Sequence, residues 1–250
     1  MKISGNTILI TGGGTGIGEA LAHRLHDRDN TVIVAGRRTE ALDKAACGRD
    51  RIHVLPLDID DPAQITTFAA RVIRDFPETN VLFNNAGIMR FEPDLAHKRD
   101  LRDAEAMITT NLLGPLRLSN ALVEHLASRP GAAIVNVSSG LGFVPLVAAP
   151  TYSATKAALH SYTVSLRAAL AGRIEVIEIV PPGVRTELVP GQEHEEQFLA
   201  LADFADQVLS FLERTPTPAE ILVDAVLFLR NAEGEGRFGT TLSTINPQPH

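Results

Sequence analysis

Tyr152 and Lys156 stand four residues apart, and of all pairs in this chain they are the best suited to moving a proton. On a helix that spacing places both side chains on one face. A free tyrosine has a pKa of about 10, too high for a base at neutral pH. A neighbouring ammonium favours the phenolate and lowers that value, so the pair is a candidate proton donor and acceptor. Tyr162, the other tyrosine, has no lysine at that spacing. Ser139, at the end of an apolar run, is a further candidate. Strand alternation points Ser138 and Ser139 in opposite directions, although a Ser-Ser-Gly string by itself is most often a turn.

A second chemistry is written near the start. The stretch Thr11-Gly12-Gly13-Gly14-Thr15-Gly16-Ile17-Gly18 follows an apolar run and opens an amphipathic segment. Glycines there let the backbone turn tightly and approach a pyrophosphate, which a helix N-terminus then stabilises. The spacing of Gly12, Gly16 and Gly18 is not G-x-G-x-x-G, so the loop is read through its position between a strand and a helix. The next apolar run ends Ala35-Gly36-Arg37-Arg38. An acidic residue there would bind ribose hydroxyls and repel a phosphate, whereas two guanidinium groups can pair with a 2′-phosphate. The expected cofactor is therefore NADP(H) in preference to NAD(H), with a solvated arginine loop as the plainer alternative.

The elements that must hold these residues are legible in outline. Apolar runs rich in Val and Ile occupy Thr7–Thr11 and residues 31–35, 52–57, 80–83, 133–138 and 174–180. Several are apolar on both faces, as strands buried in a parallel sheet are. Helix-like stretches cover residues 17–28, 62–76, 104–128 and 152–171, and Asp61-Pro62 reads as an N-cap followed by proline in the first turn. The alternation predicts an α/β fold: a single-domain, Rossmann-type, doubly wound parallel sheet with helices on both faces, spanning residues 1–250. Residues 188–215 read as a lid-like insertion. Within it an acidic opening leads into an apolar-periodic stretch with Phe198, Leu201, Phe204, Leu209 and Leu212. The tail from Gly239 to His250 is short and ends in a proline-containing segment expected to be poorly ordered.

Composition excludes several functions. The chain has 250 residues, 44% apolar and 21% charged, with a net charge of −7, so no basic field draws nucleic acid or anionic lipid. The uncharged stretch from Pro130 to Thr155 is interrupted by prolines, serines and glycines, which argues against a membrane span. One cysteine, Cys47, leaves no intrachain disulfide, and the expected location is cytoplasmic. The eight histidines form no ligand spacing with carboxylates or cysteine, so no metal site is expected.

Taken in order, TGGGTGIG, Asp58, Asn84-Asn85-Ala86-Gly87, Asn111, Ser139, Tyr152-Ser153-Ala154-Thr155-Lys156, and Pro182-Gly183 followed by Thr186 resemble the short-chain dehydrogenase/reductase (SDR) family in its compact branch. The resemblance runs from Thr7 to about Thr186. It implies that the Ser139 hydroxyl lies beside the Tyr152 oxygen, where it holds a substrate carbonyl. It implies that Lys156 also binds the nicotinamide ribose and that Asn111 helps hold a proton-relaying water. Asp58 is implied to contact the adenine, and Thr186 the carboxamide. Thr15, Ile17, Ile59, Asn85, Ala86, Gly87, Pro182, Gly183 and Val184 would line the cofactor groove. Two plainer readings stay open: Asn111 as a helix-kink or cap residue, and residues 84–87 as a support of the central sheet.

The reaction so implied is hydride transfer to an aldehyde or ketone while Tyr152 protonates the developing alkoxide. The same site running as an alcohol dehydrogenase, or a non-catalytic NADP(H)-binding sensor or scaffold, are the rivals. Leu141, Phe143, Val144 and Leu188 join Ser139 as the expected substrate pocket, and with Phe198 and Phe204 they suggest an uncharged, fairly hydrophobic carbonyl compound. Glu193, Glu195 and Glu196 weigh against an anionic one. Family members often dimerise through the helices here at residues 104–128 and 152–171. Many form tetramers through a C-terminal strand ending Asp-Gly-Gly, which this chain lacks, so a homodimer is expected.

Overall fold

The six apolar runs become six parallel strands of one sheet in the computed structural model, which describes residues 1–92 and 94–247. They are β1 (Thr7–Thr11), β2 (Thr31–Gly36), β3 (Ile52–Pro56), β4 (Thr79–Asn84), β5 (Ala133–Val137) and β6 (Glu175–Ile179). A seventh, β7 (Glu220–Ile221), adds two residues at the edge and is too short to leave a periodic signal. The order is β3-β2-β1-β4-β5-β6-β7, so the direction of winding reverses between β1 and β4. All strands are parallel, hence their carboxyl ends share one side, and a crevice opens at the reversal.

Helices α1 (Gly16–His26), α2 (Thr39–Ala46), α3 (Pro62–Asp75), α4 (Arg102–Ile108), α5 (Gly114–Ala127), α6 (Pro150–Ala169), α7 (Leu201–Leu212), α8 (Asp224–Arg230) and α9 (Phe238–Ile245) surround the sheet. Successive residues of β1 feed opposite cores, as the two-residue strand period requires. Ile8 and Ile10 pack with Leu21, Leu25 and Phe204 on one face. Leu9 packs with Ile33, Phe68 and Leu118 on the other. One sheet sealed on both faces makes one domain. Asp61 caps α3 as expected, its carboxylate accepting from the Ala63 and Gln64 amides at 2.8 and 3.2 Å.

Three expectations change. The helix expected over 104–128 is divided by a π-helical turn, Thr109–Leu113. Gly114 and Pro115 explain the break, because Pro115 has no N–H to give the carbonyl four residues back. The tail from Gly239 carries α9, whose following residue Asn246 clamps the chain after the Ser139 loop. Its Oδ1 accepts from Val147 N at 2.6 Å and its Nδ2 donates to Pro145 O at 3.0 Å. Residues 248–250 of that tail lie outside the described residues.

The third change concerns the lid-like segment. Its helical half, α7, is a layer helix: Phe204, Val208 and Leu212 are fully buried in the core beside α1. Arg24 and Arg28 of the α1 region bind Asp206 and Glu213 at 2.6 and 2.7 Å. Only the earlier part of the segment, with Leu188 and Gln192, reaches the crevice. A core role for α7 predicts that Phe204→Ala costs about 3–5 kcal/mol of unfolding free energy in chemical denaturation. A loss below about 1 kcal/mol would instead identify α7 as a mobile cover.

Candidate active site

The crevice at the carboxyl ends of the strands holds a cavity of about 410 Å³, a volume suited to a small ligand or cofactor. Its first wall is the glycine loop. Gly12 and Gly16 have φ of +66° and +56°, which favours glycine. Gly18 stands off the wall and serves close packing, because a Cβ there would lie 2.3 Å from the Gly12 carbonyl oxygen and 2.5 Å from Asn85 Nδ2. Asn85 Nδ2 donates to Thr11 O at 2.9 Å, while its backbone, with Ala86 and Gly87, borders the cavity. Residues 85–87 thus lie where a cofactor groove was expected, and the same run supports the sheet. Asn84 supports the sheet through Ser119 Oγ at 2.9 Å and Asn136 Oδ1 at 2.8 Å.

The start of α1 suits an anion. Thr15 makes no side-chain cap there, so the first amides of the helix keep their donors for a ligand. The Thr15 hydroxyl instead accepts from Arg38 Nη2 at 3.0 Å. Arg37 is drawn to Asp60, 3.3 Å away, and Asp60 also accepts from Thr110 Oγ1 at 2.6 Å. Arg38 has no carboxylate partner among the described residues, which leaves it the better placed of the two for a phosphate. Leu57 and Ile59 form the adjoining wall. Asp58, expected to contact the adenine, lies between them off the wall, its carboxylate accepting from Asp60 N at 3.1 Å. Uncapped amides, unpaired Arg38 and a loop without side chains fit a phosphorylated dinucleotide.

Ser139, Tyr152 and Lys156 meet on the opposite wall, each less than 10% exposed. Strand β5 delivers the serine and α6 the other two. Lys156 Nζ donates to Val137 O at 2.9 Å and stands 5.6 Å from the centre of the Tyr152 ring. The Ser139 hydroxyl accepts from Leu141 N at 3.1 Å. The phenol is not lowered by the lysine, contrary to expectation. Burial pushes the Tyr152 phenol up to about 12, and the Ser139 hydroxyl bond only partly offsets it. Burial likewise brings Lys156 down to about 8 against the opposing charge of Glu178. Desolvation is the largest effect on both groups, so without ligand Tyr152 is a protonated phenol.

Asn111 sits on the π-helical turn, and its side chain is spent on Ile88. It accepts from Ile88 N and donates to Ile88 O, both at 2.8 Å, and reaches Thr155 Oγ1 at 3.3 Å. It is not part of the cavity wall, and its side chain braces the loop at Ile88. Thr186, Pro182 and Val184 border the cavity, and Gln192 Nε2 holds Val184 O at 2.7 Å. Gly183 lies beneath Phe198, where a Cβ would come within 2.6 Å of the ring.

The expected substrate pocket is only partly realised. Leu188 lines it, and Leu141 packs beside Tyr152, Met89 and Met107. Phe143 and Val144 do not. Phe143 packs edge-on against His160, 4.7 Å between ring centres, under the Arg230 guanidinium; Val144 is fully buried. Ile88, Arg90 and Glu187 stand on the wall unanticipated. Among the described residues no group of three or more His, Cys, Asp or Glu could hold a metal ion.

Glu92 was also missed, and it anchors the helix that carries Tyr152 and Lys156. Its buried carboxylate accepts from Thr151 N at 2.9 Å, Thr151 Oγ1 at 3.0 Å and Arg99 Nη2 at 2.7 Å. Thr151 N is an otherwise unpaired donor in the first turn of α6. Burial alone would raise the Glu92 carboxyl, but Arg99 and Thr151 hold it below its usual range. A carboxylate so held stabilises the fold above its unfolded pKa, and the contribution is lost as pH falls through the folded value. Glu92→Gln should therefore cost about 1–3 kcal/mol at neutral pH in denaturant titrations. That gap should narrow below about pH 4; a gap independent of pH would show that the charge is irrelevant.

Tyr152 can be titrated alone, since Tyr162→Phe leaves it the single tyrosine. Ultraviolet difference titration of that variant without cofactor should show the phenol ionising at about 12. Ionisation at roughly 7–9 would mean that the lysine outweighs desolvation.

A glycine loop on a doubly wound sheet supports many chemistries, so the fold by itself does not settle the family. The chain matches the short chain dehydrogenase family over residues 6–197. It is 42% identical over 189 residues to the uncharacterized oxidoreductase DltE of Bacillus subtilis, covering 75% of each chain. It is 32% identical over 180 residues to the NADP-dependent 3-hydroxy acid dehydrogenase YdfG of Escherichia coli O6:H1, covering 71% of each. A short chain dehydrogenase from Burkholderia cenocepacia, solved in complex with NADP, superposes with a TM-score of 0.82 at 28% identity over the whole of both chains. Sequence match, fold and the grouping of serine, tyrosine and lysine agree, and the chain belongs to the short chain dehydrogenase family of oxidoreductases.

Proposed function

We propose that the protein is an NADPH-dependent reductase that converts an aldehyde or ketone to the alcohol. The observation that carries this reading is the meeting of Ser139, protonated Tyr152 and Lys156 on a cavity whose other end is the uncapped helix with Arg38. NADPH, when bound, supplies the hydride. The Ser139 hydroxyl holds the carbonyl oxygen, and Tyr152 delivers a proton to that oxygen as charge builds on it. Lys156 supports the phenolate left behind and is the group placed to reach a ribose hydroxyl. Arg38, with Arg37 as its second, binds the 2′-phosphate, a preference in line with the NADP named for YdfG and bound in the Burkholderia structure. A binder without turnover would have no need of a proton donor buried beside a lysine.

The expected uncharged substrate rests on Leu188 and Ile88. A carbonyl compound bearing a carboxylate is a second reading, favoured by Arg90 on the same wall and by the 3-hydroxy acids named for YdfG. Residues Ile108 on α4 and Val164 on α6 are 40% and 46% exposed, which suits a homodimer built on those helices. The solitary Cys47 suits a cytoplasmic setting.

The test follows NADPH and NADH oxidation against neutral and anionic aldehydes, ketones and diketones. Tyr152→Phe should lower kcat by about 10²–10⁴-fold. Arg38→Ala should raise KM for NADPH by about 10- to 100-fold and leave NADH unaffected. NADPH binding without turnover of any carbonyl would favour the sensor, and faster oxidation of alcohols with NADP⁺ would favour the dehydrogenase.

A further inference from the structure

Glu178 is a fully buried carboxylate that none of the steps above uses. It stands on β6 opposite Asn136 of β5, one residue along from Val137, whose carbonyl holds the Lys156 ammonium. The Ser138 hydroxyl donates to Oε1 at 2.5 Å, and His160 Nδ1 faces Oε2 at 2.8 Å. Each oxygen thus meets a donor, the arrangement that suits an ionised carboxylate, which can only accept. Ser138 and Ser139 divide their work as strand alternation demands: one hydroxyl turns to Glu178, the other to Tyr152.

A buried carboxylate is costly, and an apolar residue or an amide of similar size would pack as well or better. Its charge is therefore the informative feature. From α6 it faces His160 and Lys156; from α8 it faces Arg230. Arg230 is already committed to Glu220 of β7 through two bonds of 2.7 and 3.1 Å. Arg167 of α6 lies near Glu220 and gives its own donors to the carbonyls of Val176 and Ala219. His160 is part-exposed, and the ring of Phe143 covers one side of it. Lys156 is the buried cation left without a carboxylate in hydrogen-bond contact, and Glu178 is the charge that acts on it.

We propose that Glu178 is a positioning residue for the reaction: held by Ser138 and His160, its buried charge keeps the Lys156 ammonium protonated beside Tyr152. The role rests on the reductase reading for its catalytic consequence but not for its electrostatics. A buried ammonium sheds its proton unless an opposite charge offsets desolvation. Lys156 is already brought down to about 8 with that offset in place, so its loss would lower the titration further and reduce the protonated fraction. Glu178→Gln keeps the shape and removes the charge.

The chain has four lysines, Lys2, Lys44, Lys98 and Lys156, so their side-chain carbons can be titrated individually by NMR on ¹³C-lysine protein. In Glu178→Gln the Lys156 titration should fall by about one pH unit or more. The alkaline limb of the NADPH-dependent rate should move toward acid by the same amount, and Glu178→Asp should restore much of both. His160→Gln, which offers an amide donor in place of the ring, should leave the Lys156 titration in place. An unmoved Lys156 in Glu178→Gln overturns the proposal. So does an equal shift in His160→Gln, which would assign the effect to the hydrogen-bond frame rather than the charge, and that variant replaces only a part-exposed ring. Should Lys156 shift as stated while the wild-type protein turns over no carbonyl, the reductase reading fails and the electrostatic link stands.

Discussion

The seam between strand β5 and helix α6 is held by polar groups that are buried apart from the part-exposed His160, and the rest of the site takes its geometry from it. Asn84 binds Asn136, Asn136 binds Thr163 on the helix, and Ser138 and His160 meet on Glu178. Each such group must find a partner or cost the fold heavily. A helix held by apolar contacts alone can slide or rotate by fractions of a turn; one held at Thr163 and at His160 has its register set. That register brings Tyr152 and Lys156 up to Ser139, while Glu92 holds the first turn from outside.

The two ends of the cavity use water exclusion in opposite ways. At the glycine loop, the absence of side chains exposes backbone donors, and Arg38 supplies a charge that solvent still reaches. At the serine–tyrosine–lysine end, burial dominates: it raises the phenol more than the Ser139 hydroxyl bond lowers it, and lowers the ammonium more than the charge of Glu178 raises it. A neutral tyrosine is the correct state for giving a proton away, and a lysine near its midpoint is sensitive to any charge nearby. Glu178 is the charge that opposes burial there.

Arg37 shows why a motif residue and its role can separate. Both arginines follow β2 as the cofactor argument required, yet one is partly neutralised by Asp60, twenty-three residues on. Phe143 is a similar case. It follows Ser139 closely in sequence, but the short 3₁₀ turn at Gly140–Gly142 sends its ring outward to His160 and Arg230.

Local pattern made legible six strands, several of them apolar on both faces, the cap at Asp61, the glycine loop between a strand and a helix, and the Tyr152–Lys156 spacing that a helix converts into a shared face. These are readable because strand and helix periods are short and the turn chemistry of glycine and proline is local. Tertiary structure alone decided which polar residues are buried and with whom. Glu92 meets Thr151, Glu178 meets Ser138, and Asn246 meets Pro145 and Val147 across dozens of intervening residues. No local signal separates those residues from the many solvated acids and amides of the chain. For the same reason the sequence could name Tyr152 but not its protonation state. Side-chain spacing suggests a charge interaction, whereas desolvation depends on every element packed around it.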